Sequence, residues 1–487
     1  MEEKETNKEM SPEEFRQYGN KMIEWIASYF ENLENMPVVP SIKPGDIKKQ
    51  LPDHPPLFSE SMDNIISDID KIIIPGMTHW NHPDFMAYFN STSSSPGILA
   101  EILSAAFNVN GMLWKTGPSS TELERVALNW LREMIGIPDN FWGIIYDTAS
   151  VSSLHAIAAA REQIPALEIR EKGMTGRNDL PLLKLYCSEQ AHSSIDKAAI
   201  TLGLGLKGIT KIPVDKSYRM IPEKLQEVIE EDRKNGWLPF CVVATVGTTS
   251  TTSIDPVKKI GAICEKENIW LHIDAAYGGT AAILPEMKYI LEGIEKADSI
   301  VVNPHKWMFT PIDLSAFYTK KPDILKRAFS LVAEYLKTGE DNEAENLMDY
   351  GIQLGRRFRS LKLWFVIRYF GLQGIISILR EHLRLAHLFS EWIDASPRFE
   401  RMAPVDFGVV CFRFHPQNIK DEEQLNELNE KLLNIINESG KLFISHTKIN
   451  NIYMLRISIS GLRTEEKNVK NAWILIRKEA ERLVRTD

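Results

Sequence analysis

The feature that most constrains this chain is a short apolar run that ends in two polar side chains. Residues 299–302 read Ser-Ile-Val-Val, which is typical of a buried strand. Pro304 stops the strand, because proline cannot donate to a central ladder. His305 and Lys306 follow directly, at the kind of strand end where an open α/β sheet binds its ligands.

Lys306 is the first candidate for catalysis, because apolar residues lie on both sides of it. Between the strand and Trp307, Met308 and Phe309, its ammonium group would be desolvated, which lowers the pKa of a lysine. The neutral amine that results can attack a carbonyl carbon and form a Schiff base. The alternative is a lysine that extends its charged end to solvent along its apolar stem.

A second predicted strand ends in a carboxylate. Residues 270–279 read Trp-Leu-His-Ile-Asp-Ala-Ala-Tyr-Gly-Gly, so Asp274 follows an apolar run and precedes small residues. A buried carboxylate needs a cation or strong donors to stay ionised. A pyridinium nitrogen would be such a cation, and Ala276 would leave room for a flat ring. The alternative is an aspartate that only caps a helix.

These two stretches resemble the group II pyridoxal-phosphate decarboxylases. The matching motifs are His-Ile-Asp-Ala-Ala-Tyr at 272–277 and Asn-Pro-His-Lys-Trp at 303–307. The resemblance runs from about Ser11 to the last predicted helix, and it points to the aromatic L-amino-acid decarboxylases that act on tyrosine, tryptophan or DOPA. It implies pyridoxal 5'-phosphate as the cofactor and an α/β fold of type I, similar to aspartate aminotransferase.

The resemblance also implies three parts of the chain and a homodimer with active sites at its interface. Residues 1–84 would form a helical segment that wraps another subunit, 85–384 a large α/β domain that binds the cofactor, and 385–487 a small α+β domain. A capping box from Ser11 to Glu14 predicts the first helix of the N-terminal segment. That segment could instead pack on its own large domain.

The resemblance assigns roles to individual residues. Lys306 would bind the cofactor covalently, Asp274 would keep its ring nitrogen protonated, and His192 would stack on the ring. Tyr335 would protonate the substrate carbon, with help from His192. Further contacts with the cofactor are expected from Ala149, Ser150, Thr249, Ala276, Asn303 and His305.

A turn rich in hydroxyl groups precedes a helix predicted at 154–164. Residues 147–153 read Asp-Thr-Ala-Ser-Val-Ser-Ser, and the N-terminus of a helix is a ready anion site. Most such turns are only helix caps, but one beside a cofactor lysine would bind phosphate. Asp147 would repel a phosphate group, so we expect its side chain to point away.

The pattern around the expected substrate pocket departs from the family. The resemblance places Trp80 and Ser91 near the substrate, while Asn110 and Met112 replace an aliphatic residue and a phenylalanine in the pocket wall. Loss of that phenylalanine costs an aromatic substrate about 1 kcal/mol. An aromatic L-amino acid of the tryptophan, tyrosine, phenylalanine or DOPA type stays favoured. Gly355, where histidine decarboxylases carry serine, argues against histidine.

Several rival functions stay open at this point. Relatives that act as aromatic aldehyde synthases carry phenylalanine where this chain has Tyr335, so Tyr335 favours simple decarboxylation. A transaminase, a decarboxylase of a non-aromatic amino acid and a non-catalytic binding protein are further alternatives. Residues 320–350 are polar and acidic, which is typical either of a lid over the partner's active site or of a passive surface loop.

Composition excludes other classes of protein. A formal net charge of −9 argues against nucleic acid as a partner. The apolar runs fall short of the roughly 20 residues that span a bilayer, and the polar N-terminus lacks the apolar core of a signal peptide, so no membrane contact is expected. The 4 cysteines lack metal-ligand spacing and predict reduced core residues in a cytoplasmic protein without a metal site.

Overall fold

The computed structural model describes residues 9–331 and 344–485, which form two β-sheets surrounded by helices. The strands are β1 (Phe85–Met86), β2 (Trp142–Tyr146), β3 (Leu182–Ser188), β4 (Ile209–Ile212), β5 (Trp237–Thr245), β6 (Trp270–Asp274), β7 (Ser299–Val302), β8 (Ser315–Thr319), β9 (Phe399–Arg401), β10 (Val409–Phe414), β11 (Phe443–Ile449) and β12 (Ile452–Ser458). The helices are α1 (Pro12–Asn32), α2 (Met62–Asp68), α3 (Ser95–Phe107), α4 (Pro118–Ile135), α5 (Ala149–Glu162), α6 (Ile169–Lys172), α7 (Ser194–Thr201), α8 (Pro222–Lys234), α9 (Val257–Glu267), α10 (Pro304–Trp307), α11 (Pro322–Phe329), α12 (Ser360–Asp394), α13 (Glu422–Glu438) and α14 (Glu466–Arg485).

The larger sheet has the strand order β2-β8-β7-β6-β5-β3-β4. β8 runs antiparallel to both of its neighbours, whereas the remaining neighbours pair in parallel. Every strand of this sheet except β8 therefore points its carboxyl end toward the same edge. The α/β class predicted from alternating strands and helices is confirmed.

The larger sheet is buried on both faces. Alternate residues of β5 point to opposite sides, so Val242 and Ala244 belong to one apolar core, and Cys241 and Val243 to the other. Helices α4, α9 and α12 cover the first face, while α5, α7 and α11 cover the second. Burial on both faces explains why these strands are continuous apolar runs in the sequence. The four cysteines are buried and free, as the sequence predicts.

The smaller sheet has the order β1-β11-β12-β10-β9 and packs against α13, α14 and the end of α12. Its first strand, β1, pairs in parallel with β11, so residues from the start of the predicted large domain join the small sheet. The long helix α12 also crosses the predicted boundary between residues 384 and 385. The division of the chain into three parts therefore stays a prediction.

The N-terminal helix α1 begins where the sequence predicts it. The hydroxyl of Ser11 accepts the N–H of Glu14, and the Glu14 carboxylate accepts the N–H of Ser11, which completes the capping box. No residue of this described helix is buried, and Phe15 is 67% exposed. Its contacts with the following segment include a hydrogen bond from Trp25 Nε1 to Asp70 at 2.9 Å. The helix thus leaves apolar surface free for another contact.

One described helix, α12, is long and apolar enough to span a bilayer by length and composition alone. The sequence analysis predicts no apolar run of that length. The helix reaches it because two helical pieces join at Gly371, whose φ of 61° and ψ of 168° are not helical. Leu363 and Leu379 lie in the core under the large sheet, and Leu385 and Phe389 in the core of the small sheet. These contacts are those of a core helix.

Candidate active site

A cavity of about 230 Å³ lies at the carboxyl edge of the large sheet. Residues at or just beyond the ends of β2, β3, β5, β6 and β7 form its walls. All nine residues predicted to contact the cofactor line it, namely Ala149, Ser150, His192, Thr249, Asp274, Ala276, Asn303, His305 and Lys306. The structure therefore brings together residues that are up to 157 positions apart in the chain, from Ala149 to Lys306.

Asp274 and Lys306 reach the cavity from neighbouring strands. Asp274 is the last residue of β6, is 5% exposed and accepts the N–H of Ala276 at 3.2 Å. β7 pairs in parallel with β6, and the one-turn helix α10 carries Lys306 just past the end of β7. Pro304 opens α10, where its missing N–H costs nothing. A carboxylate and an amine from adjacent strand ends thus line one cavity.

The surroundings of Lys306 lower the pKa of its amine. Burial is the largest cause, the carboxylate of Asp274 opposes it, and the positive charge of Arg456 adds to the lowering. The amine nitrogen lies 5.0 Å from the centroid of the Phe89 ring. The predicted effect of desolvation on this lysine is confirmed, and it favours the neutral amine, which is the form that attacks a carbonyl carbon.

His192 follows β3 and has a defined tautomer. Its Nδ1 accepts the backbone N–H of Ser194 at 3.2 Å and lies 2.9 Å from the Ser194 hydroxyl. Burial lowers the pKa of His192, so the ring is neutral near pH 7. A neutral ring whose Nδ1 is an acceptor carries its proton on Nε2. This N–H is the one that His192 can offer to a ligand.

His305 and Asn303 form a polar pair at the cavity wall. Nδ1 of His305 accepts the N–H of Leu314 at 2.9 Å, and burial lowers the pKa of His305 to about 4, so its proton is on Nε2. That nitrogen lies 3.3 Å from the side-chain amide of Asn303, whose Oδ1 is buried without a hydrogen-bond partner. An amide flip lets Oδ1 accept from His305 and turns the NH2 group away from it.

Helix α5 points its N-terminus at the cavity. It begins at Ala149 rather than at residue 154 as predicted, because the hydroxyl-rich turn is itself the first turn of the helix. The N–H groups of Ala149 and Ser150 have no carbonyl partner within the helix, and this end of a helix favours an anion. Asp147 does not line the cavity, and Gln353 donates to its two carboxylate oxygens at 2.8 and 3.0 Å.

The polar groups of the cavity fit pyridoxal phosphate. The first turn of α5 offers donors to a phosphate, and the Asp274 carboxylate offers an acceptor to a protonated ring nitrogen. Thr245 Oγ1 is buried and lacks a hydrogen-bond partner in the described part of the chain. Buried polar atoms normally have partners, so this hydroxyl marks a position where a bound ligand would complete the hydrogen bonding.

Five residues line the cavity that the sequence analysis did not select, namely Phe89, Thr148, Thr245, Gly247 and Tyr277. Phe89 and Tyr277 stack with ring centroids 3.9 Å apart and planes inclined by 14°. Gly247 has a φ of 90°, which favours glycine at this turn. Tyr277 ends the motif at 272–277, so its place beside Asp274 was a usable signal, whereas Phe89 lies far away in the sequence.

Arg456 of β12 is another residue that the sequence analysis did not select, although its charge acts on Lys306. Its Nε donates to the carbonyl of Ser250 at 3.1 Å and its Nη1 to the carbonyl of Tyr88 at 2.6 Å. The guanidinium carbon lies 4.8 Å from the centroid of the Phe89 ring, and Nη2 is buried without a hydrogen-bond partner among the described residues. No sequence signal distinguishes this arginine, because only the packing of the small sheet on the large one buries it.

The residues expected to contact the substrate do not line this cavity. Trp80 is 40% exposed, and Ser91 is half-buried. Asn110 and Met112 lie on a different segment, where Asn110 Oδ1 accepts the N–H of Arg356 at 2.9 Å. In the described part of the chain, the predicted cofactor contacts thus share one cavity, and the predicted substrate contacts lie outside it.

Tyr335, the predicted proton donor, lies outside the described residues, as does much of the predicted lid. Within residues 9–331 and 344–485, no group of three or more His, Cys, Asp or Glu side chains is arranged to hold a metal ion.

The chain matches a family model described as the pyridoxal-dependent decarboxylase conserved domain over residues 44–415. It is 40% identical to phenylacetaldehyde synthase of Arabidopsis thaliana, over 98% of both chains. It is 38% identical to tyrosine decarboxylase 4 of Petroselinum crispum, over 98% of this chain and 95% of that one. Its structure is similar to the crystal structure of Oryza sativa TDC with PLP and tryptamine, with a TM-score of 0.94, 34% identity and coverage of 98% of this chain and 100% of that one.

The fold and the site define a pyridoxal-phosphate-dependent amino-acid decarboxylase, which is a lyase. Within that class, the chain belongs to the group II decarboxylases of the aromatic amino-acid decarboxylase type. The predictions of the family, the cofactor, the enzyme class and the type I fold are confirmed.

Proposed function

We propose that this enzyme converts an aromatic L-amino acid of the tryptophan, tyrosine, phenylalanine or DOPA type into the corresponding amine and CO2. The observation that carries the proposal is the convergence of nine predicted residues, including Lys306 and Asp274, on one cavity at the carboxyl edge of the large sheet. When bound there, pyridoxal phosphate supplies an electron sink for the electron pair left at the substrate carbon as CO2 departs.

Lys306 and Asp274 have the two central roles in this proposal. The amine of Lys306, whose pKa is lowered by burial, would bind the cofactor covalently until the substrate amine displaces it. The Asp274 carboxylate, which accepts the N–H of Ala276, would hold a proton on the ring nitrogen. A protonated ring nitrogen withdraws electrons more strongly than a neutral one, so the carboxylate increases the capacity of the sink.

The other residues of the cavity orient the cofactor. Ala149 and Ser150 offer the N-terminus of α5 to the phosphate, and Asn303 and His305 support the same end. Thr249 and Ala276 line the cavity, where Thr249 would lie beside the ring and Ala276 would leave room for it. His192 would stack on the ring, with its Nε2–H available to the substrate.

Tyr335 is proposed as the donor of the proton that replaces CO2 on the substrate carbon. Its role is supported by the resemblance of the sequence alone, because Tyr335 lies outside the described residues. His192 is the second candidate, since it lines the cavity and carries a proton on Nε2.

An aromatic aldehyde synthase is the second candidate function. A phenylacetaldehyde synthase and a tyrosine decarboxylase match this chain at similar identity, 40% and 38%, so similarity does not separate the two outcomes. Tyr335 favours the amine product, because relatives with the oxidative outcome carry phenylalanine there. Trp80, Ser91, Asn110 and Met112 remain the proposed substrate contacts.

The experiment that tests the proposal measures CO2 trapped from each L-amino acid together with oxygen uptake. We expect CO2 and amine in equal amounts from an aromatic substrate, without peroxide. Lys306→Ala is the matched control and should release no CO2. Oxygen uptake with aldehyde and peroxide would replace the proposal by the aldehyde synthase, and faster CO2 release from glutamate or aspartate would overturn the aromatic assignment.

We further propose a homodimer with its active sites at the interface, in the cytoplasm. Support comes from α1, which leaves Phe15 and Ile23 exposed, and from α3, which leaves Leu99, Leu103 and Phe107 exposed. Sedimentation should show twice the monomer mass, and Leu103→Asp should shift it toward the monomer and lower CO2 release. A wild-type protein that sediments as an active monomer would contradict the dimer.

A further inference from the structure

Trp307, the residue after the proposed cofactor lysine, takes part in a buried hydrogen-bonded bridge. Its indole Nε1–H donates to Nδ1 of His382 at 3.0 Å, and His382 Nε2 lies 3.1 Å from the carbonyl of Gly461. All three groups are buried. The bridge therefore joins α10, which carries Lys306, to α12 and to the loop that follows β12 of the small sheet.

Only one protonation state of His382 fits this bridge. The indole nitrogen of Trp307 is a donor without acceptor capacity, so Nδ1 of His382 must be unprotonated. The proton is then on Nε2, where it can be donated to the carbonyl of Gly461. Burial also lowers the pKa of His382 to about 4, which agrees with a neutral ring. His382 is thus an acceptor toward Trp307 of α10 and a donor toward Gly461 in the loop after β12.

Trp307, at one end of this bridge, packs against aromatic rings that line the cavity. Trp307 stacks on Tyr277 with centroids 4.9 Å apart and planes inclined by 6°, and Tyr277 stacks on Phe89 at 3.9 Å. Tyr277 and Phe89 line the cavity, and the Lys306 amine lies 5.0 Å from the Phe89 centroid. A rotation of the Trp307 indole would therefore disturb both the stack and the one-turn helix that positions Lys306.

We propose that His382 is a positioning residue for Lys306. It fixes the indole of Trp307 through one hydrogen bond and anchors that indole to the small sheet through the other. Loss of both bonds leaves two buried polar groups without partners, so the indole and α10 gain alternative orientations. The inference rests on the proposed function for the role of Lys306, and the test below separates the two.

The test compares His382→Phe with His382→Gln in the cofactor-loaded enzyme. Phenylalanine fills the volume but can neither accept from Trp307 nor donate to Gly461, whereas glutamine can do both. The first readout is the visible absorption band of the cofactor bound to Lys306, titrated with pH. The second readout is the rate at which pyridoxal phosphate is lost on dilution. Leu385→Ala, a buried change on the same helix in the core of the small sheet, is the control for general destabilisation.

For His382→Phe we expect a shifted pH midpoint of the band and about tenfold faster loss of the cofactor, with a lower kcat and a KM within about twofold. His382→Gln should restore most of the wild-type behaviour, and Leu385→Ala should leave the band unchanged. A His382→Phe band and cofactor loss like those of the wild type, or a Gln variant as impaired as Phe, would overturn the inference.

Trp307→Phe provides a second route if His382→Phe does not fold. It removes the indole donor and leaves the histidine, so the band midpoint should shift in the same direction by a smaller amount. An unshifted midpoint in this variant would also count against the inference. A wild-type protein without a Lys306-dependent band would instead refute the proposed function, which keeps the two failures distinguishable.

Discussion

The cofactor region and the predicted substrate region differ in how completely one chain builds them. The cofactor region collects nine predicted residues around a cavity of about 230 Å³ at the carboxyl ends of β2, β3, β5, β6 and β7. The predicted substrate contacts Trp80, Asn110 and Met112 lie outside that cavity. The difference is that the predicted cofactor contacts lie at strand ends of one sheet, whereas the predicted substrate contacts lie on connecting segments outside the cavity.

A physical reason underlies this contrast. Parallel strands of one sheet bring their carboxyl ends to one edge. Residues at those ends therefore lie close together, independently of how the rest of the chain packs. Trp80 and Met112 belong to connecting segments, and Trp80 is 40% exposed, so strand geometry does not bring them to the cavity. Substitutions in the two regions should therefore have different signatures.

The largest effect is expected from Lys306→Ala. Loss of the amine removes covalent attachment of the cofactor, so CO2 release should fall by about a thousandfold or more, and the Lys306-dependent absorption band should vanish. Absorption spectra and trapped CO2 measure both. An unchanged absorption band would show that Lys306 does not bind the cofactor, which would contradict the contrast between the two regions.

The next largest effect is expected from Asp274→Asn. The neutral amide cannot stabilise a protonated ring nitrogen, so kcat should fall by about a hundredfold while KM changes little. Asp147→Asn is the matched control, because Asp147 also follows a strand end but does not line the cavity. An equal loss of kcat in both variants would show that the carboxylate of Asp274 has no specific role in the site.

Acid should destabilise the protein through histidines that are buried next to the cofactor region. Burial lowers the pKa of His155 to about 3 and of His272 and His305 to about 4. Between pH 6.5 and 4 the unfolded chain binds protons that the folded chain excludes, so stability falls as the pH falls. Each histidine contributes up to about 1.4 kcal/mol per pH unit in this window.

Denaturant unfolding at pH 7 and pH 5 measures this dependence. His272→Gln should reduce the loss of stability between the two pH values, because glutamine does not titrate. An unaltered pH dependence in this variant would mean that folding does not lower the pKa of His272, which would contradict the effect expected from its burial.

The smallest effect is expected from Met112→Phe in the substrate region. If Met112 lies at the aromatic side chain of the substrate, phenylalanine adds contact worth about 1 kcal/mol, or about fivefold in kcat/KM for aromatic over aliphatic substrates. The absorption band of the cofactor should stay as in the wild type. A changed band with unchanged substrate preference would place Met112 in the cofactor region and reverse the comparison.

Much of the cofactor region was predictable because its signals are local. The apolar run before Lys306 and the run before Asp274 each identify a strand and its end, and β7 and β6 end at Val302 and Asp274. Arg456 and His382 gave no such signal. Both acquire their role through burial between the two sheets, which depends on contacts that are distant in sequence.

The sequence by itself determined the strand ends, the lysine and carboxylate that follow them, and the α/β class, because apolar periodicity and strand-breaking residues act over a few positions. Only the tertiary structure decided that nine scattered residues share one cavity, that Phe89 and Tyr277 stack beside Lys306, and that a histidine on α12 bonds to Trp307. Those features depend on the order of the strands and the packing of the two sheets, which follow from the burial of the whole apolar surface at once.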